Sequence, residues 1–94
     1  MLWEGATVRN IVGIDEVSAM GAPGEAGVVV LNVPEGSTAA RNGFAEGDLI
    51  LKFGNYGIDT VQDLLNYTSR LKSGQSVELT VLRNYDTVTV RFKK

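Results

Sequence analysis

Catalytic chemistry in this chain would have to come from carboxylates, because its 94 residues include neither histidine nor cysteine. Their absence removes imidazole bases, thiol nucleophiles, disulfides and the usual zinc, haem and iron–sulfur ligand sets. Three carboxylate pairs remain: Asp15 with Glu16, Glu46 with Asp48, and Asp59 with Asp63. Acid–base catalysis needs two carboxyl groups that converge on one bond. Neighbours on a turn diverge instead, Asp63 stands where a helix cap is expected, and Asp48 is placed to satisfy backbone donors, so no pair points to an enzyme. Phosphate-cradling glycine motifs and calcium-binding loops are also absent, and the expectation is a domain without metal or cofactor.

The elements that position these residues are short. Turn signals at Gly21-Ala22-Pro23-Gly24, Pro34-Glu35-Gly36, Asn42-Gly43, Gly54-Asn55, Ser73-Gly74 and Arg83-Asn84-Tyr85-Asp86 divide the chain. Strands are predicted over 6–12, 27–33 and 49–53. A C-terminal hairpin follows from Val77, Leu79 and Val81 alternating with polar residues, then Val88, Val90 and Phe92 doing the same after a tight turn. Ser37 can cap a short helix over Thr38–Arg41, and another short turn is expected over 15–20. The main helix begins at Thr60, where the Thr60/Asp63 spacing is that of a capping box, and runs to about Lys72. Its apolar residues form two stripes, Leu64-Tyr67-Leu71 and Val61-Leu65-Thr68, about 90° apart. Either the second stripe lines a groove, or the two make one wide core face. The tripeptide Asn66-Tyr67-Thr68 has the form of a glycosylation sequon, but it lies inside this helix and reads as structural.

One domain spanning 1–94 is the size expectation, as most domains hold about 100 to 150 residues. Apolar residues make up 44% and charged residues 21%, which is the balance of a globular chain. No segment approaches the ~20 apolar residues of a membrane helix. The first fifty residues carry two basic and seven acidic side chains, and the remainder seven basic and four acidic. With an isoelectric point near 5.0, nucleic acid is not an expected partner.

The run Gly27-Val28-Val29-Val30-Leu31-Asn32-Val33, then Glu35-Gly36-Ser37-Thr38-Ala39-Ala40, Asn42-Gly43-Phe44 and Gly47-Asp48-Leu49-Ile50-Leu51, resembles the PDZ domain of bacterial proteases. The resemblance continues through Gly54-Asn55, the Asp63-Leu64 helix, Gly74 and Val81-Leu82-Arg83, and so covers nearly the whole chain. It implies a mainly β fold with small helices: a partly open antiparallel sandwich or barrel of five or six strands, capped by one longer and one or two short helices. It also implies a non-catalytic module, excised from a larger bacterial protein, that adds a partner's segment as an extra strand, and an extracytoplasmic location, periplasmic or at the cell surface, is the expectation.

By that resemblance Trp3-Glu4-Gly5-Ala6 corresponds to the carboxylate-binding loop, Ala6, Thr7, Val8 and Arg9 to the pairing strand, and Val61, Leu65 and Thr68 to the groove wall. Val61 stands where many eukaryotic members carry histidine, which implies an apolar rather than a hydroxyl side chain two residues before the ligand's end. Glu4 replaces the family's usual pocket leucine, and Ala6 is smaller than usual. A carboxylate at Glu4 would repel a ligand carboxylate. The implied partner is therefore an apolar peptide C-terminus or an internal strand; the alternative is a structural module that packs against neighbouring domains with its groove occluded.

Overall fold

The computed structural model describes all 94 residues. Ten elements follow in order: β1 (Leu2–Trp3), β2 (Ala6–Asn10), α1 (Gly13–Met20), β3 (Val28–Asn32), α2 (Thr38–Arg41), β4 (Leu49–Phe53), β5 (Tyr56–Gly57), α3 (Val61–Arg70), β6 (Ser76–Arg83) and β7 (Asp86–Lys93). All the strands belong to one antiparallel sheet in the order β1-β2-β3-β4-β6-β7, with β5 paired to β4. Five strands of five residues or more carry the sheet, as expected, and β1 and β5 add two residues each. No helix is long and apolar enough to cross a membrane.

Local chemistry sets the element ends. Thr60 accepts from the Asp63 amide while the Asp63 carboxylate accepts from the Thr60 amide, closing the expected capping box. Ser37 Oγ accepts from the Ala40 amide at 3.1 Å and starts α2. The α3 helix stops at Arg70 rather than Lys72, because Leu71 is extended and the Lys72 amide donates to Gln75 Oε1 at 2.8 Å. Helix α1 begins at Gly13, two residues before the expected turn: the Glu16 carboxylate takes the Val12 amide at 2.8 Å and ties down the first turn. The predicted strand over 6–12 correspondingly ends at Asn10.

The sheet has an apolar layer on each face. On one, Val8, Val28, Val30, Ile50, Leu79 and Val81 pack with Ala39 of α2 and with Val61 and Leu64 of α3. On the other, Ile11, Val29, Leu49 and Leu82 are covered by Val17 and Met20 of α1. This is why Val28-Val29-Val30 is uninterrupted: both faces of β3 are buried. Asn84 and Tyr85 form the two-residue β6–β7 turn with φ of 51° and 68°. Tyr85 is held there by its hydroxyl, which donates to the Ala19 carbonyl at 3.1 Å, and by Gly21, where a Cβ would stand 2.7 Å from the Tyr85 ring.

Two ion pairs fasten loops to the sheet. Asp48 is fully buried and receives Arg83 Nε and Nη2, both at 2.7 Å, together with the Ala45 amide at 2.9 Å. The same guanidinium donates to the Gly43 carbonyl at 2.9 Å, so the loop carrying Phe44 is clamped to β6. Arg9 of β2 grips Glu16 of α1 with Nη1 and Nη2 of its guanidinium, and the Glu16 carboxyl is pulled down to about 2, first by that hydrogen bonding and then by the Val12 amide.

Replacing Arg83 with Met leaves the Asp48 carboxylate buried without its cation, and stability in urea is expected to fall by about 3 kcal/mol. Glu16 is depressed in the folded state, so its contribution is complete above the ordinary carboxyl range and is lost as pH falls toward about 2. Protection of the amides over Val12–Met20, measured against the unstructured exchange rate at each pH, is accordingly expected to fall between about pH 4.5 and pH 2, and Glu16→Gln to remove that dependence; unchanged protection in wild type would show that the clasp does not hold α1.

Candidate peptide-binding groove

The residues expected to line a groove fall on β2 and α3, and these two elements are joined directly. Asn10 Oδ1, at the end of β2, accepts from the amide of Val61, the first residue of α3, at 2.7 Å. At the other end, Trp3 Nε1 donates to Thr68 Oγ1 at 2.9 Å. Val61 and Thr68 are buried, Leu65 is half-buried, and Leu64 of the other stripe is fully buried. Both stripes of α3 therefore face inward, Leu64 toward the sheet and Val61 and Thr68 toward the β2 side.

Trp3-Glu4-Gly5-Ala6 is a closed hairpin turn. Trp3 and Ala6 are paired across it, with Glu4 and Gly5 at φ of 50° and 85°. The Glu4 carbonyl accepts from the Ala39 amide at 2.9 Å, docking the turn on α2. Glycine is required at position 5 twice over, since its φ is positive and a Cβ would stand 2.8 Å from Ser37 Cβ. The Glu4 side chain is half-buried and takes part in neither of the two ion pairs.

The hairpin changes the status of β2. An open edge was expected along Ala6–Arg9; instead β2 is paired on both sides, with β3 on one and β1 on the other. Leu2 lies opposite Thr7, Trp3 opposite Ala6, and Met1 and Val8 exchange backbone hydrogen bonds of 2.7 and 3.2 Å. The ends of the main strand path are β1 and β7, and the two-residue β5 is paired on one side only. None of the four surface cavities is lined by a residue of β2.

Of the expected residues, the structure brings Trp3, Ala6, Val8, Val61 and Thr68 into one buried neighbourhood, with Leu65 at its margin. Thr7 is half-buried beside Leu2, and Arg9 is turned to Glu16 on the opposite face. Sequence reasoning missed Met1 and Leu2 as pairing residues and Asn10 as the link to α3. The available signal was Glu4-Gly5 between two apolar residues, which fits a two-residue hairpin turn as well as an anion-binding loop.

Comparison with known proteins places this arrangement. A family model for the PDZ domain matches residues 5–93. A probable periplasmic serine endoprotease, DegP-like, of Pseudomonas putida is 32% identical over 82 residues, which cover 87% of this chain and 17% of that protein. Serine endoprotease DegS of Haemophilus influenzae is 29% identical over 85% of this chain and 23% of its own length. The chain thus spans about a fifth of the length of these relatives. Among solved structures, an HtrA-type protease with a decapeptide superposes with a TM-score of 0.84 at 28% identity, over 97% of this chain and 27% of that one. The HtrA3 PDZ domain bound to a phage-derived ligand, FGRWV, shares the fold with a TM-score of 0.75 at 22% identity, over 97% of this chain and 82% of that one. With the family model covering all but the first four residues and the last, the chain belongs to the PDZ domain family.

Proposed function

We propose that this domain binds a peptide as an added strand on β2, in the lane between β2 and α3, and that it serves substrate docking or regulation in a larger, extracytoplasmic bacterial protease. As a PDZ domain it is a binding module and not the catalytic part of such an enzyme. The observation that carries the reading is the position of β1: a short segment already lies antiparallel on β2 and reaches α3 through one buried side chain. Strand addition supplies main-chain hydrogen bonds that any sequence can make, and pockets for alternate side chains supply choice. In this reading Thr7 and Val8 pair with the ligand backbone. Ala6, Leu65 and Thr68 surround its last, apolar side chain, and Val61 meets the side chain two residues earlier. Binding of a free terminal carboxylate requires the Glu4-Gly5 turn to open its amides, away from the Glu4 carboxylate.

The same observation favours a second reading, a structural module that packs against neighbouring domains while β1 keeps the lane filled. The two differ in whether β1 can leave. Titration of the full chain with tryptophan-free peptides ending in Val, Leu or Phe, as free acids and as amides, separates them. Peptide binding predicts a saturable red shift of Trp3 emission as the indole leaves its site, with amide shifts concentrated in Ala6–Arg9. A response to the acids alone identifies C-terminal recognition, and an equal response to both forms identifies internal-strand binding. No response to any peptide refutes the first reading and leaves the structural module.

Val61 offers a separate check on selectivity. Substituting Val61 with His is expected to move the preference two residues before the ligand's end from Val, Leu, Ile or Phe to Ser or Thr. Unchanged preference in a peptide-array measurement would remove Val61 from the groove.

A further inference from the structure

Segment Met1–Trp3 has the features of a strand held by a single anchor. Met1 and Leu2 are each 68% exposed, whereas Trp3 is 2% exposed. Its ring packs edge-on against Phe44 at 4.9 Å between centroids and lies tilted against Phe92 at 5.4 Å. Met1 and Leu2 bury little, so among the side chains of this segment the indole supplies most of the contact that holds β1.

The pocket has a defined polarity. A threonine hydroxyl has one proton, and that of Thr68 is committed to the Leu64 carbonyl at 2.7 Å. Toward Trp3, Thr68 Oγ1 can therefore only accept, and the indole N–H is the donor it receives at 2.9 Å. A phenyl or aliphatic side chain in the same place would fill volume but leave this buried oxygen without its second partner. Ala6, fully buried opposite Trp3, has no side chain beyond Cβ and leaves room for a bicyclic ring.

We infer that Met1–Trp3 is an intramolecular ligand, exchangeable for a segment in trans, and that Thr68 makes its pocket selective for an indole, so that the preferred partner is an extended segment presenting tryptophan. The inference rests on the strand-addition reading above. A displacing strand must restore what β1 gave up, and tryptophan, unlike phenylalanine or an aliphatic residue, restores both the ring contacts and the hydrogen bond. Thr68 acts here as a specificity-determining residue.

Trp3 is the single tryptophan of the chain, which provides the test. The full chain carrying Trp3→Phe keeps an aromatic ring in the core, and Trp3→Ala empties the pocket; in either, all tryptophan emission comes from added peptide. Acetylated peptides ending Met-Leu-Trp and Met-Leu-Phe are titrated against both variants, with affinities from amide shifts of Ala6–Val8 and the exchange rates of Leu2 and Trp3-position amides reporting release of β1. The tryptophan peptide is expected to bind about tenfold more tightly, the worth of one hydrogen bond to a buried acceptor. Its emission is expected to shift to the blue, and the preference to vanish when Thr68→Val is added. Equal binding of the two peptides overturns the indole selectivity and leaves the groove reading standing. Failure of both peptides to shift Ala6–Val8 in either variant overturns the exchangeable ligand and the groove reading together.

Discussion

The indole of Trp3 is the point at which the N-terminal strand, the inner face of the sheet and helix α3 are tied together. Its ring fills the space between Phe44, on the loop after α2, and Phe92 on β7, while its N–H reaches Thr68. Burying an aromatic side chain of this size contributes more than any other single residue in a small core. The polar atom on the ring must also find a partner once buried. Thr68 meets that requirement, and through it the register of β1 on β2 and the approach of α3 to the sheet are fixed together. Thr68 joins the two sheet edges as well, because its carbonyl accepts from Lys94 Nζ at 3.0 Å just beyond β7.

What could be read from the sequence was local. The β6–β7 hairpin, the capping box at Thr60 and the Ser37 cap all depend on residues within a few positions of one another, and they appear where expected. Errors arise where a distant partner decides. The start of α1 depends on Glu16 bridging to Arg9 on another element, and no residue type at Val12 announces a cap. The end of α3 depends on Gln75 capturing the Lys72 amide.

The site was legible in its residues but not in its occupancy. Val61 and Thr68 could be placed on one helix stripe by periodicity alone, and the structure buries both on the β2 side. That β1 exists could not be read in the same way: two residues carry no period, and Glu4-Gly5 suits both an open loop and a closed turn. The choice is made by contacts at long range, the Glu4 carbonyl to α2 and the indole to α3.

Almost every strand in this sheet pairs with a neighbour in the chain, whereas Trp3 and Thr68 are 65 residues apart. Contacts of such span form after local hairpins, since the entropy of closing a long loop must be met before the contact rewards it. The link between indole and hydroxyl closes one such loop, yet the strand it holds has only two residues and lies at the sheet edge. Edge elements of this kind open locally at a free energy below that of global unfolding. The strength of one hydrogen bond at Thr68 thus acts on the local opening of that edge, while the pairing of β2 with β3 and of β6 with β7 stays in place.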